Sequence, residues 1–511
     1  MTEQTIYKPD HWAGTDPDRP AVIMGSGGAR LTYSQLTENS RAFARMFQSL
    51  GLKEGDVVAF CVENRPEIIE LAWAAERSGL VYAIMSTQLS AEEIAYIVGD
   101  SGAKLFVTSD AKSGIAADLK SRLSDDVTCL MLGKPSPGYA SLQSRVDAAA
   151  DVELEDRSTG YDLLYSSGTT GKPKGIVRDM PKVPFGSPKL IMDMLRGRFG
   201  ATADSVYLCP APLYHAAPLR FVMGMISLGA TVVVMPKFDA EEALRLIERH
   251  GVTHSQWVPT MFSRMLGLPD EVRAAYDVSS MQVAIHAAAP CPVKVKHRMI
   301  EWWGPVIQEY YGSSEGVGIC MITSEEWLAH EGSVGRCIRG TIHVLDDDGN
   351  ALPPRQPGTL WVEGGVPFRY LNAPEKTAES YNDKGWVTVG DVGYLDEDGY
   401  LYLTDRKSFM IISGGVNIYP QEIENVLNEC PELADAAVFG VPNPDFGEEV
   451  KAVVVRRKGA TCSQDDVIDY CRGRIGRIKC PRSVEFVDAL PRSDTGKLLK
   501  GQLRAQYWPA A

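Results

Sequence analysis

At 511 residues the chain is longer than a single hydrophobic core supports, so two or more domains are expected. Hydrophobic residues make up 44% and charged residues 23%, ordinary for a globular protein, and no apolar run approaches the roughly 20 residues that span a bilayer, so no integral membrane segment is expected. The 52 Lys and Arg against 66 Asp and Glu give a formal charge of −14, which argues against a nucleic-acid surface and requires any polyanionic ligand to meet a local cluster of cations.

The opening MTEQTIYKPDHW is too polar for a secretory signal. The ten cysteines, among them Cys61, Cys209, Cys291, Cys337 and Cys480, include no C-x-x-C pair. Free thiols and a cytoplasmic location are therefore expected, and a zinc site is not. The first four-fifths of the chain alternates short β-branched runs with longer amphipathic stretches. VVAFCV (57–62) reads as a buried strand, and PEIIELAWAAERSG (66–79) as a helix with proline in its first turn and a closing glycine. FVMGMISLG followed by ATVVVMP, and EEALRLIERHG followed by THSQWVP, repeat the order helix, glycine, strand, which predicts α/β architecture with helix-covered parallel sheets.

From Gly358 the pattern changes to alternating aromatic and β-branched runs that meet at Asp396-Glu397-Asp398-Gly399, an antiparallel hairpin. After Arg406 to Ser408 the chain restarts as helix, two strands and helix, which predicts a small α+β domain. The stretch YSSGTTGKPKG (165–175) suits phosphate, because small residues expose N–H groups and Lys172 and Lys174 supply charge. Its spacing is not that of a Walker loop: only Thr169 and Thr170 separate Gly168 from Gly171, and Pro173 follows Lys172.

Six stretches in order, SSGTTGKPKG, APLYH (211–215), YYGSSEG (310–316), GWVTVGD (385–391), TDRKSFMIISGGVNIYPQEIE (404–424) and PRSDTGK (491–497), resemble the adenylate-forming superfamily of acyl-CoA synthetases, adenylation domains and beetle luciferases. The resemblance covers nearly the whole chain and implies a large N-terminal domain of helix-covered sheets with a β-barrel-like subdomain (1–406). It also implies a small mobile C-terminal domain (407–511) that pivots near Ser408. It implies ATP, Mg2+ and coenzyme A as cofactors and a carboxylic acid as substrate, joined through an acyl adenylate.

By resemblance, Ser166, Ser167, Gly168, Thr169, Thr170 and Gly171 wrap the β- and γ-phosphates and Lys174 anchors that loop, while no role is assigned to Lys172. Glu315 holds magnesium, with Gly312 and Ser314 beside it. Asp391 grips the ribose hydroxyls, and Arg406 contacts ribose or phosphate. Ala288, Ala289 and Pro290 lie against adenine with Tyr311 opposite. Lys497 reaches the carboxylate and α-phosphate, and Gly414 and Gly415 line the pantetheine tunnel. His215 stands at the mouth of the acid pocket, the alternative being a core histidine satisfied by backbone.

Two departures from the family pattern bear on these roles. Val389 stands where a threonine is usual, and Ser408 stands at the pivot, without the charge that would hold one orientation. The helix after His215 is expected to wall the acyl pocket with Phe221, Met223 and Met225, and Arg220 to face solvent, the alternative being contact with a second polar group on the acid. The expected acid is medium- to long-chain, alicyclic or aryl, and the expected assembly is a monomer or homodimer. The alternatives to an acyl-CoA synthetase are an adenylation enzyme that loads a carrier protein and a catalytically silent nucleotide-binding regulator.

Overall fold

The strand-helix alternation of the large N-terminal part builds two sheets. A computed structural model describes residues 7–25, 27–166, 172–406, 409–413, 416–493 and 498–508, with backbone only for Ser166 and Asn417. One sheet has six parallel strands in the order Ala140–Ser141, Thr128–Leu132, Leu105–Ser109, Val57–Cys61, Val81–Ile84, Tyr161–Asp162. Helix Pro66–Arg77 makes the crossover between Val57–Cys61 and Val81–Ile84, with its proline in the opening turn and Gly79 beyond its end at φ +67°, where only glycine avoids strain.

The other sheet has nine strands. Its parallel centre runs Ile307–Gly312, Val283–His286, His254–Trp257, Val206–Cys209, Thr231–Val234, Pro20–Met24, and antiparallel strands close both edges. Helices Ala216–Ser227 and Ala240–His250 serve its crossovers, as the helix-glycine-strand repeats predict. One core joins the two sheets: Phe60, Trp73 and Tyr82 from the first pack with Tyr207, Phe221 and Val232 from the second. Each such side chain stabilises the fold by about 1.5–3 kcal/mol through removal from water.

The change of texture at Gly358 corresponds to a four-stranded antiparallel sheet, Thr341–Leu345, Gly358–Glu363, Asp391–Leu395, Leu401–Arg406. The Asp396 carboxylate accepts the N–H groups of Asp398 and Tyr400 at 3.0 and 2.8 Å, and Gly399 takes φ +79°, which together form the hairpin turn. Bridges Gly335–Leu401 and Val362–Val387 tie this sheet to its neighbours. A three-stranded sheet of Leu164–Ser166, Lys174–Val177 and Arg369–Tyr370 sets Lys174 opposite Ser166, so the two ends of the glycine-rich stretch lie side by side.

The small C-terminal domain is α+β. Its sheet runs Val416–Ile418, Ile411–Ser413, Gly447–Arg456, Leu433–Asn443, with Ser483–Phe486 parallel to Gly447–Arg456. Helices Pro420–Asn428 and Gln464–Arg472 cover one face through Ile423, Leu427 and Val467, and Leu503 of helix Lys500–Ala505 packs on Phe439 and Val453. Ser463 starts the second of these helices with a capping box to Asp466, a contact worth about 1 kcal/mol.

Candidate active site

A cleft of ≈ 2970 Å³ opens where three strands of the nine-stranded sheet end. The loop after Val206–Cys209 brings His215, the loop after Val283–His286 brings Ala288 to Pro290, and the end of Ile307–Gly312 leads into Ser313 to Glu315. Ligands of open α/β sheets bind at such carboxyl ends. Ala288 holds φ +74°, a left-handed conformation that a non-glycine residue adopts at a cost of about 1–3 kcal/mol and that marks functional positions.

Two of the carboxylates that line the cleft, Asp391 and Glu315, belong to the motifs singled out in the sequence. Asp391, at the start of Asp391–Leu395, accepts the Tyr311 hydroxyl on Oδ2 at 2.5 Å and the Arg406 Nε on Oδ1 at 3.0 Å. The sheet register dictates this, because Arg406 lies directly opposite Asp391. Burial, reinforced by Asp391, pushes the Tyr311 phenol well above its ordinary value. For Arg406, burial alone would lower the pKa, and Asp391 and Glu315 outweigh it. Glu315 is buried and accepts the Tyr370 hydroxyl on Oε1 at 2.9 Å, and the Lys174 ammonium stands 6.0 Å from the Tyr370 ring centroid. Ser313 has a buried hydroxyl with no hydrogen-bond partner among the described residues, while Gly312 and Ser314 are exposed. Val389 turns methyl groups to the cleft. Thr388 does not replace the usual threonine, because its hydroxyl donates to the Leu360 carbonyl at 2.7 Å.

His215 occupies the N-cap position of helix Ala216–Ser227, half-buried, with its ring 4.8 Å from that of Tyr214. Asn64 fixes this loop from the other sheet: its amide donates to the carbonyls of Ala211 and Met235 at 3.0 and 2.8 Å, and its Oδ1 accepts the Leu213 N–H at 2.7 Å. Phe221 and Met223 line the cleft as expected, but Met225 does not line it and is fully buried in the core. Arg220 does not face solvent. It lines the cleft and pairs with Asp162 at 2.7 Å, since the short strand Tyr161–Asp162 brings an anion that local sequence does not announce. Lys172 lies over the Tyr96 ring at 4.9 Å.

The structure therefore brings Lys174, His215, Ala288, Ala289, Pro290, Tyr311, Glu315, Asp391 and Arg406 to one cleft. Ser167, Gly168, Thr169, Thr170, Gly171, Ser408, Gly414, Gly415 and Lys497 lie outside the described residues, as does the side chain of Ser166. Sequence reasoning missed Tyr370, whose approach depends on the pairing of Ile176 with Tyr370, and Asn64, whose bonds to Ala211, Leu213 and Met235 span 147, 149 and 171 residues. It also missed a buried ionic contact beside the expected pivot, where the Lys500 ammonium lies 2.9 Å from Glu424 and 3.5 Å from Asp405.

The family described as AMP-binding enzyme matches residues 9–369, and that described as AMP-binding enzyme C-terminal domain matches residues 422–497. The chain is 32% identical to a long-chain-fatty-acid–CoA ligase of Mycobacterium tuberculosis over 97% of each sequence. It is also 32% identical to a feruloyl-CoA synthase of an Amycolatopsis species over 95% of this chain and 96% of that one. Its fold is similar to the solved o-succinylbenzoate CoA synthetase of Bacillus subtilis in complex with an acyl-adenylate intermediate, with a TM-score of 0.82 at 27% identity over 98% of each chain. With most of its length matched in this way, and with its candidate nucleotide residues gathered in one cleft, the chain belongs to the AMP-binding enzyme family.

Proposed function

We propose that the protein is an ATP-dependent acyl-CoA synthetase, an AMP-forming acid–thiol ligase that activates a carboxylic acid as its acyl adenylate and passes the acyl group to coenzyme A. The observation that carries this reading is the convergence of Glu315, Tyr311, Asp391 and Arg406 in one cleft with Lys174, within a family whose relatives named above are CoA ligases and synthases.

In the first half-reaction a carboxylate oxygen bonds to the α-phosphorus of ATP and pyrophosphate leaves with the bridging oxygen. Two anions meet, so the barrier falls through positioned cations and N–H donors. Asp391 accepts the ribose hydroxyls, Arg406 contacts ribose or phosphate, and Ala288 to Pro290 lie along adenine with Tyr311 opposite. Residues Ser166 to Gly171 wrap the β- and γ-phosphates, and Lys174 anchors that loop. Lys497 meets the carboxylate and α-phosphate, and His215 stands at the acid mouth.

Glu315 suits Mg2+, a hard cation that takes few protein carboxylates and fills its shell with phosphate and water. Glu315 is buried at the cleft, and the one hydrogen bond described on its carboxylate comes from a neutral donor, the Tyr370 hydroxyl at 2.9 Å. Magnesium supplies neutralisation of phosphate charge. In the second half-reaction residues 407–511 turn about Ser408 relative to residues 1–406, the pantetheine arm lies along Gly414 and Gly415, and the thiol displaces AMP. The acid is medium- to long-chain, alicyclic or aryl, and the enzyme works in the cytoplasm as a monomer or homodimer.

The test is AMP release with coenzyme A present or omitted, across short, long, aryl, dicarboxylic and polycyclic acids. CoA-dependent release with at least one acid is expected, and a requirement for a carrier protein in place of CoA would overturn the acceptor. Lys497→Ala is expected to slow pyrophosphate exchange by about 10²- to 10³-fold. An unchanged exchange rate would remove Lys497 from adenylation.

A further inference from the structure

The wall of the cleft beyond His215 carries charges that an alkyl tunnel does not need. Asp162 pairs with Arg220 at 2.7 Å and with Arg178 at 3.8 Å, and Glu76 pairs with Lys189 at 2.5 Å and accepts the Tyr82 hydroxyl at 3.1 Å. All six side chains line the cleft, so three cations face two carboxylates. Arg220 is the cation nearer to Asp162, and Arg178, 3.8 Å away, has only a weak share of that anion. Arg178 is also close to the end of the YYGSSEG stretch, its Nη1 3.6 Å from where a Cβ on Gly316 would stand.

Burial and the neighbouring Arg220 lower the Arg178 pKa, and the carboxylates of Asp162 and Glu315 offset them only in part. Gln256 lines the same cleft and donates to the Tyr310 hydroxyl at 3.0 Å. A wholly alkyl acid packed here would strip water from Arg178 and Arg220 and give nothing in return, whereas an acceptor oxygen on the acid would replace that water with a charge-assisted hydrogen bond.

We propose that Arg178 and Arg220, positioned by Asp162, select acids that carry an acceptor oxygen, a ketone or a second carboxylate, on the body of the molecule. The inference rests on the ligase reading above and narrows its substrate class from plain alkyl and aryl acids to oxygenated ones. A site built to hydrogen-bond a substrate oxygen discriminates strongly against the analogue that lacks it, because its own polar groups are then left unpaired.

The experiment measures CoA-dependent AMP release for octanoate, for oxo-octanoates with the ketone at each successive carbon, and for octanedioate, with the wild type and with Arg178→Gln and Arg220→Gln. The readout is the ratio of kcat/KM for each oxygenated acid over octanoate within one preparation, which does not depend on the fraction of protein folded. At least one oxygenated acid is expected to exceed octanoate by about 10-fold or more in the wild type, and that ratio is expected to fall by about 10- to 100-fold in each variant. A ketone preferred over octanedioate identifies a neutral acceptor, and the reverse identifies a second anion; either supports the proposal.

Octanoate equal to or better than every oxygenated acid overturns it, as does a high ratio that survives both substitutions. An Arg178→Gln variant that raises KM for ATP and slows all acids equally would assign that arginine to the nucleotide instead, which also overturns it. Failure of every acid, octanoate included, to release AMP would strike the ligase reading itself.

Discussion

Asp391 and Asp405 stand on paired strands, one opposite Arg406 and the other opposite Val392, and their side chains are nearly equally buried, at 10% and 7% exposure. Their partners differ. Asp391 is held by a tyrosine hydroxyl and by a guanidinium that is itself 38% exposed, so its carboxylate keeps lone pairs toward the cleft and can exchange partners. Asp405 accepts the N–H groups of Arg406 and Gln421 at 2.7 and 3.3 Å and shares the buried Lys500 ammonium with Glu424, which in turn accepts the Val438 N–H. Burial does not separate the carboxylate proposed to bind ribose from a structural one; the exchangeability of its partners does. Asp405 also stands three residues before the expected pivot at Ser408, and its contact with Lys500 joins the last strand of the large domain to the final helix.

The comparison breaks most visibly at Lys500. Lys500→Met keeps length and volume but leaves two buried carboxylates facing each other, so the small domain is expected to lose about 3–5 kcal/mol in denaturant unfolding. A loss no larger than that of an exposed ion pair would show that Asp405 and Glu424 are not the structural set described here. Asp391→Asn should do the reverse. It leaves the melting temperature close to that of the wild type and lowers kcat/KM for ATP by about 10- to 100-fold, because an amide cannot accept on both sides. Tyr311→Phe removes one neutral donor from Asp391, and about 0.5–1.5 kcal/mol of effect on ATP affinity is expected, read by calorimetric titration.

The smallest effect lies in pH. Burial would lower the Lys500 pKa, but Glu424 and Asp405 outweigh it and raise it. A raised ammonium pKa stabilises the fold at every pH below the ordinary lysine value of about 10.4, and the contribution disappears as pH climbs from there through the raised value. Wild-type stability is therefore expected to fall over that alkaline range more steeply than that of Lys500→Met, measured as urea midpoints against pH.

Much of this architecture was legible because it is local. Pro66 and Gly79 bracket a helix, Asp396 to Gly399 form a hairpin, and the strand-helix alternation implies parallel sheets, each from residues a few positions apart. The carboxylates Glu315 and Asp391 were legible for a different reason, since the motifs around them resemble those of a family. Arg220 was misjudged because its helical face alone suggests solvent. Its anion comes from Asp162, 58 positions earlier, on a strand of two residues that no periodicity can register. Met225 was misjudged by the opposite error, since an apolar residue on a pocket helix faces either pocket or core and composition does not choose.

Asn64 carries a last consequence, for the order of folding. It follows a strand of the six-stranded sheet, yet its three hydrogen bonds all go to Ala211, Leu213 and Met235, which follow strands of the nine-stranded sheet. Contacts of such long sequence separation form only after the chain between them has been ordered, and they form late. The loop that presents His215 therefore takes its shape only when the two sheets have docked. Neither half of the large domain, folded alone, holds that loop in place, and this wall of the cleft is completed as one of the final events of folding.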